Sequence, residues 1–139
     1  IWGETHKKKY PQKIDLIKST PFCHAPCMVR REAYELVNGY SVSKKLLRVE
    51  DYHLWIKMYS KDLLGMNIQE SLYMMRDDKN ARNRRKFKYR INESYVKLLA
   101  IKMLKLPKIN IFLCLKPIIL GIIPNFMYDI LHHKKVGRK

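Results

Sequence analysis

The sequence predicts an α/β fold, because short apolar segments typical of strands alternate with segments of helical periodicity. Residues 22–29 are compact and mostly apolar, which indicates a buried strand that Pro26 places at an edge or a bulge. Apolar residues alternate between Met66 and Arg76, which indicates two further short strands. Apolar residues recurring at helical intervals predict helices at Arg31–Val37, Glu50–Tyr59 and Glu93–Leu106.

The predicted helices carry recognisable start and stop signals. The pair Asn38–Gly39 ends the first helix, since both residue types tolerate the left-handed backbone of a helix C-terminus. Glu50 and Asp51 occupy the first turn of the second helix, where the helix dipole favours negative charge. Pro107 ends the third helix, and a short helical turn is expected at Ile14–Lys18.

The chain of 139 residues is strongly basic, with a formal net charge of +17. Residues 71–139 hold 17 Lys and Arg against 4 Asp and Glu, whereas residues 1–70 hold 12 against 8. The partners should therefore be anionic: phosphate groups, nucleic acid or an acidic membrane leaflet. The densest cluster, Lys79–Arg90, interleaves cations with Phe87 and Tyr89, as single-stranded nucleic acid would require, but a solvated loop or a lipid-phosphate contact fits it as well.

The C-terminal residues 93–139 are predicted to form a basic, amphipathic, membrane-associating helical tail. The segment Ile109–Leu131 is very apolar, but polar residues and prolines interrupt it before it reaches the length of a membrane span. Two short helices in or near a membrane interface are expected instead, with the basic end facing lipid phosphates. The three cysteines are an odd number and indicate a reducing compartment. We therefore expect a cytoplasmic protein, peripheral at the inner face of the cell membrane.

Two clusters of side chains could carry chemistry. Glu50 and Asp51 could supply a general base, or they could simply cap a helix. Cys23, His24 and Cys27 could ligate a metal, but they lack the second ligand pair of a zinc finger, so ordinary thiols in a buried strand are the favoured interpretation.

Four short motifs follow one another in residues 18–76: Pro21-Phe22-Cys23-His24, Asn38-Gly39-Tyr40, Glu50-Asp51-Tyr52-His53-Leu54-Trp55, and Ile68-Gln69-Glu70-Ser71-Leu72-Tyr73 followed by Arg76. In this order they resemble the C-terminal half of family 2 glycosyltransferases, and most of all bacterial enzymes that build capsule, O-antigen or exopolysaccharide. The resemblance implies the second half of a GT-A (Rossmann-like) domain. Residues 1–92 would then be its incomplete, acceptor-side part. The chain begins at Ile1 rather than Met, so we expect a piece of a longer protein.

The resemblance also implies roles for individual residues. Asp51 would be the general base of an inverting sugar transfer from a nucleotide-sugar donor to a glycan or lipid-linked acceptor. Glu50, His24, Trp55 and Arg76 would bind the acceptor or substrate, although the residue pattern alone makes Trp55 a core residue. A divalent metal, Mg²⁺ or Mn²⁺, would be bound mainly by residues upstream of this chain. Because the nucleotide-binding half is missing, we expect this piece alone to be inactive.

A second class of function stays open on sequence grounds. The chain could be a basic membrane-surface or nucleic-acid-binding module without catalysis. The motifs lie in the nearly neutral half of the chain, away from the densest charge, so nucleic acid is not the expected partner.

Overall fold

The structure, a computed structural model, describes residues 7–74 and 86–122 of the chain. Every regular element in those two ranges is a helix, so the α/β prediction is wrong there. Two short 3₁₀ turns, Lys44–Leu46 and Lys108–Ile111, accompany the helices. The α-helices are α1 (Asp15–Lys18), α2 (Arg31–Leu36), α3 (Glu50–Ser60), α4 (Phe87–Met103) and α5 (Phe112–Ile122).

The predicted strand at residues 22–29 is an exposed loop. Phe22 is buried, but residues 23–26 and 28–29 are exposed, and Met28 is 98% accessible. The backbone N–H of Cys27 donates to the carbonyl of His24 at 3.1 Å, which closes a turn instead of extending a strand. Apolar composition over a short run was therefore misleading, because the segment has no neighbouring strand with which to pair.

The described part of the second strand segment, residues 66–74, is likewise irregular. It lies beside residues 7–9, and one backbone bond joins them, from the N–H of Asn67 to the carbonyl of Lys9 at 2.8 Å. Side-chain amides make the other links: Asn67 Nδ2 donates to the carbonyl of Lys8 at 2.7 Å, and Gln69 Nε2 donates to that of Lys7 at 3.2 Å. Because side chains occupy these acceptors, the backbones do not form a β-ladder.

Helix α3 forms the centre of the core and matches its predicted range to within one residue. Seven of its eleven residues are buried, so it is enclosed on more than one side. Leu16 and Ile17 of α1 and Val96 and Ala100 of α4 complete the same core, each with no exposed surface. The phenol of Tyr59 also anchors the N-terminal loop, because its hydroxyl donates to the carbonyl of Pro11 at 3.1 Å.

Helix α4 begins six residues earlier than the predicted Glu93, and it ends close to the predicted position. Its first turn is supported by packing against α5, because Phe87 and Arg90 lie directly against Gly121. The local periodicity of the sequence cannot predict this tertiary contact. The predicted division between residues 92 and 93 falls inside α4, and the assignment of two functional units stays a prediction.

Helices α4 and α5 form a packed pair. Ser94 Oγ donates to the carbonyl of Cys114 at 2.6 Å, and Cys114 and Pro117 are buried against α4. Two short helices are predicted in Ile109–Leu131; in its described part the 3₁₀ turn leads directly into α5, which continues through Pro117. Residues 123–131 lie outside the described ranges. No helix among the described residues is long and apolar enough to cross a membrane.

Lys97 is a cation inside this helical core. Its side chain is 2% exposed, and its Nζ lies 3.8 Å from Glu93 Oε1. Arg90 contacts the other oxygen of the same carboxylate, Oε2, at 3.2 Å. Burial lowers the pKa of Lys97 below 10.5, a shift that Glu93 opposes and nearby Lys116 reinforces. The charged form of Lys97 is therefore costly in the core, and the contact with Glu93 offsets only part of that cost.

Replacing this buried charge should stabilise the protein. We expect Lys97→Met to raise the free energy of unfolding at pH 7 by about 1 kcal/mol, because Glu93 keeps Arg90 as its partner. Since the folded-state pKa is depressed, the unfolded chain binds more protons between that pKa and 10.5, and wild-type stability rises with pH across this window. The advantage of the variant should therefore shrink toward pH 10.5. Urea unfolding at several pH values measures both effects.

The matched control is Lys102→Met, which makes the same change at an exposed position of the same helix. It should leave stability within about 0.5 kcal/mol of wild type. A Lys97→Met protein less stable than wild type at pH 7 would show that the Glu93 contact outweighs the burial of charge.

Candidate functional site

The two acidic residues at the start of α3 do not cap the helix. The N-cap position is Val49, and no side chain makes a capping hydrogen bond there. Glu50 and Asp51 lie in the first turn, and both are half-buried. Within the described part of the chain, neither carboxylate has a hydrogen-bond or ion-pair partner. The capping interpretation is therefore wrong, and both carboxylates are available to other groups.

Aromatic side chains from three segments meet around Trp55 of α3. The ring of His24, in the 22–29 loop, lies 6.2 Å from that of Trp55 and 6.1 Å from that of Tyr40. His24 Nε2 and the Tyr40 hydroxyl are 3.4 Å apart. Phe22 packs edge-on against Trp55 at 5.5 Å and joins the loop to the core. The structure thus brings together His24 and Trp55, two of the residues that the resemblance assigned to the site.

Asp51 acts electrostatically on this cluster. Burial is the main cause that raises the pKa of the Cys27 thiol, and the neighbouring Cys23 and then Asp51 add to it. Burial also raises the pKa of Tyr40, with Tyr34 and Asp51 as the next contributors. The Asp51 carboxylate therefore lies within electrostatic range of both the loop and the tyrosine.

The described residues do not form a metal site. No group of three or more His, Cys, Asp or Glu side chains in residues 7–74 and 86–122 could hold an ion. Cys27 Sγ instead donates to the carbonyl of Cys23 at 2.9 Å, and the side chains of Cys23 and His24 are exposed. The divalent metal implied by the family resemblance thus has no fitting ligand set in the described chain.

Sequence reasoning missed the pair Tyr34 and Tyr40. Their rings are 5.9 Å apart in an edge-on arrangement and line a shallow surface depression of about 470 Å³ together with Glu35, Asn38 and Gly39. The only available signal was the Asn38–Gly39 stop: both residues have positive φ, 53° and 54°, and the turn places Tyr40 beside the helix it ends. Lys57 of α3 fixes this turn, because its Nζ donates to the carbonyl of Gly39 at 2.7 Å.

Two predicted features lie wholly or partly outside the described residues. Arg76 is one of them, and so is most of the basic cluster Lys79–Arg90. In the described end of that cluster, Phe87 packs against Gly121, and Arg48 lies 5.8 Å from the centre of the Tyr89 ring. These two aromatic side chains are thus partly engaged within the chain, which disfavours them as a base-stacking surface.

Comparison with known proteins identifies one informative relative. The chain is 35% identical over 126 residues, or 91% of its length, to a Bacillus subtilis (strain 168) protein named "Putative glycosyltransferase EpsE". The two are homologous over this range, and the chain covers 45% of the length of that relative. No family model matches the chain, and no solved structure matches it significantly.

The electrostatic proximity of Asp51 and Cys27 can be measured. We expect Asp51→Asn to lower the pKa of the Cys27 thiol toward its ordinary value of 9.0, because one negative charge that opposes thiolate formation is removed. The rate of thiol alkylation as a function of pH reports this pKa, in a Cys23→Ser, Cys114→Ser background in which Cys27 is the single thiol.

Asp62→Asn is the matched control, since Asp62 is exposed and paired with Lys13. It should leave the thiol titration unchanged. An unchanged Cys27 pKa in the Asp51→Asn protein would mean that the carboxylate does not face the loop.

Proposed function

We propose that this chain is the acceptor-side part of an inverting glycosyltransferase of family 2, with Asp51 as its general base. The observation that carries the proposal is the Asp51 carboxylate. It is half-buried, it has no partner within the described chain, and it lies within electrostatic range of Cys27 and Tyr40. Homology to a protein named as a glycosyltransferase and the order of the four motifs support it.

In the proposed reaction, Asp51 accepts the proton of an acceptor hydroxyl as that oxygen attacks the anomeric carbon of the donor sugar. The bond from this carbon to the nucleoside diphosphate breaks, and the diphosphate leaves with the bonding electron pair. Attack from the face opposite the leaving group inverts the anomeric configuration. A base for this step needs an accessible carboxylate that the protein does not already neutralise, which is the situation of Asp51.

The neighbouring residues have positioning roles in this proposal. Glu50 orients the acceptor or braces Asp51, since it lies one position earlier in the same helical turn. His24 is exposed and Trp55 buried behind it, so His24 would contact the acceptor while Trp55 supports its ring. Arg76, the last residue in the proposed set, lies outside the described residues.

The donor would be a nucleotide sugar and the acceptor a glycan or a lipid-linked sugar. A divalent metal, Mg²⁺ or Mn²⁺, would supply charge stabilisation to the leaving diphosphate in the complete enzyme. The described residues do not provide its ligands, so no step of the mechanism above runs through it. On the same reasoning, the 139 residues alone would not transfer sugar.

The proposed location is the inner face of the cell membrane, with the protein cytoplasmic and peripheral. Residues 1–92 would be the acceptor-side part of the transferase and residues 93–139 the membrane-associating tail. The support is the distribution of charge: residues 86–122 hold eight Lys and Arg and a single acidic residue, Glu93, and seven of the eight cations lie outside the core. Such a surface is attracted to anionic lipid.

The base assignment is tested by Asp51→Asn in the complete polypeptide that carries this chain. We expect kcat to fall by about 10²–10⁴-fold, since asparagine keeps the shape but cannot accept the proton. The measurement is the release of nucleoside diphosphate from a panel of UDP-, GDP- and dTDP-sugars, together with sugar transfer to the acceptor.

Asp62→Asn serves again as the control, because the same chemical change at an exposed site should leave kcat unchanged. Transfer by Asp51→Asn at the wild-type rate would remove the base assignment. Failure of the wild-type polypeptide to use any nucleotide sugar would favour a non-catalytic membrane-surface or nucleic-acid-binding module.

A further inference from the structure

Helix α5 presents two opposite apolar faces. One face, formed by Cys114, Pro117 and Gly121 at spacings of three and four residues, packs against α4, with Cys114 and Pro117 buried. Because the helix is apolar nearly all round, burial of this first face leaves the second one uncovered.

The second face consists of Phe112, Leu115, Ile119 and Ile122. These residues follow one another at intervals of three, four and three, so they line one side of the helix. They are 66%, 50%, 57% and 72% exposed, respectively. We call these four residues the outer face of α5. Four large apolar side chains in a continuous stripe are unusual on a surface that meets water alone.

The charges around the outer face identify what covers it. Lys116 lies at its edge, one turn after Phe112, and Lys108 precedes it in the 3₁₀ turn. Residues 86–122 carry eight cations and one acid, and all of these cations except Lys97 lie outside the core, so a second copy of this basic segment would be repelled. An anionic surface with an apolar interior complements both the positive charge and the exposed apolar side chains of this region.

The dimensions of α5 determine how it meets that surface. Eleven residues make a helix about 16 Å long, roughly half the hydrocarbon thickness of a bilayer. The helix is thus suited to lie in the membrane plane, with its apolar side chains below the headgroups and its cations among the phosphates.

We propose that the outer face of α5 inserts into the headgroup–acyl boundary of an anionic bilayer, with Lys108 and Lys116 against lipid phosphates. The proposal rests on the peripheral location suggested above and is independent of sugar transfer. It assigns apolar insertion, in addition to charge attraction, to one face of one helix.

Vesicle co-sedimentation of the complete chain tests the insertion. We expect binding to phosphatidylcholine vesicles that contain phosphatidylglycerol, and weak binding to phosphatidylcholine alone. The double variant Leu115→Asp, Ile119→Asp should bind the anionic vesicles at least about tenfold more weakly, because two inserting side chains are lost. The control Val42→Asp, Leu64→Asp adds the same charge at exposed apolar residues far along the chain from α5, and should bind only slightly less than wild type.

A second measurement reports the depth of insertion directly and does not require a variant with weakened vesicle binding. The chain already contains Trp2 and Trp55, so each variant is compared with wild type. Ile119→Trp should add fluorescence that lipids brominated on their acyl chains quench, whereas the fluorescence added by Leu64→Trp should not be quenched. Circular dichroism confirms that each variant keeps its helices.

Three results would overturn the proposal: equal vesicle binding by the α5 variant and its control, no quenching at position 119, or a concentration-dependent dimer that the α5 variant abolishes. Asp51→Asn should leave vesicle binding unchanged. A loss of catalysis and a loss of insertion therefore report on the two proposals separately.

Discussion

The burial of α3 is the constraint on which the rest of the structure depends. Seven of its eleven residues are enclosed, and α1, α4 and the Phe22 loop all pack around it. Enclosure of this kind fixes both the axis and the rotation of a helix, because its side chains interdigitate with neighbours at close to crystal density. Glu50 and Asp51 lie in the first turn of this helix, between the buried Val49 and Tyr52, so the packing of their neighbours holds them in one orientation. A short helix with a single packed face would not position two carboxylates in this way.

The burial of α3 also has a free-energy cost, because it leaves polar atoms of this helix without hydrogen-bond partners in the described part of the chain. Tyr52 Oη, His53 Nδ1 and Trp55 Nε1 are buried and have no hydrogen-bond partner within the described residues. Burial accordingly lowers the pKa of His53, with a smaller contribution from Lys57, so the folded state disfavours its charged form. Each unpaired donor or acceptor costs about 1–3 kcal/mol. The apolar contacts of Leu54 and Ile56, both almost completely buried, have to offset this cost.

The sequence predicted helices correctly, but the strands it predicted are not formed in the described residues. One physical reason explains both outcomes. A helix satisfies its backbone within its own segment, so the periodicity of α3 and its acidic first turn were sufficient to find it. A strand needs a partner, and nothing in residues 22–29 or 66–74 specifies one. Residues 66–74 do meet residues 7–9, but amides of Asn67 and Gln69 take the carbonyls that a ladder would use. The early start of α4 was missed because its cause, the contact of Phe87 with Gly121, joins residues far apart in sequence.

The residues of the candidate site, like the secondary structure, could be predicted from the sequence only in part. Asp51, His24 and Trp55 could be named because they belong to short ordered motifs. Tyr40 also belongs to one, but its pairing with Tyr34, which lies outside the motifs, is created by the turn at Asn38–Gly39. Two long-range hydrogen bonds of α4 connect the proposed base to the proposed membrane helix. Asn92 of α4 donates its amide to the carbonyl of Leu47 at 2.9 Å, and so holds the segment that leads into Glu50 and Asp51. The opposite partner of α4 is α5, through the bond of Ser94 to the Cys114 carbonyl. Under the proposed function, α4 thus connects a helix lying on the bilayer to the residue that deprotonates the acceptor. A lipid-linked acceptor would then meet its base at a height set by the packing of three helices.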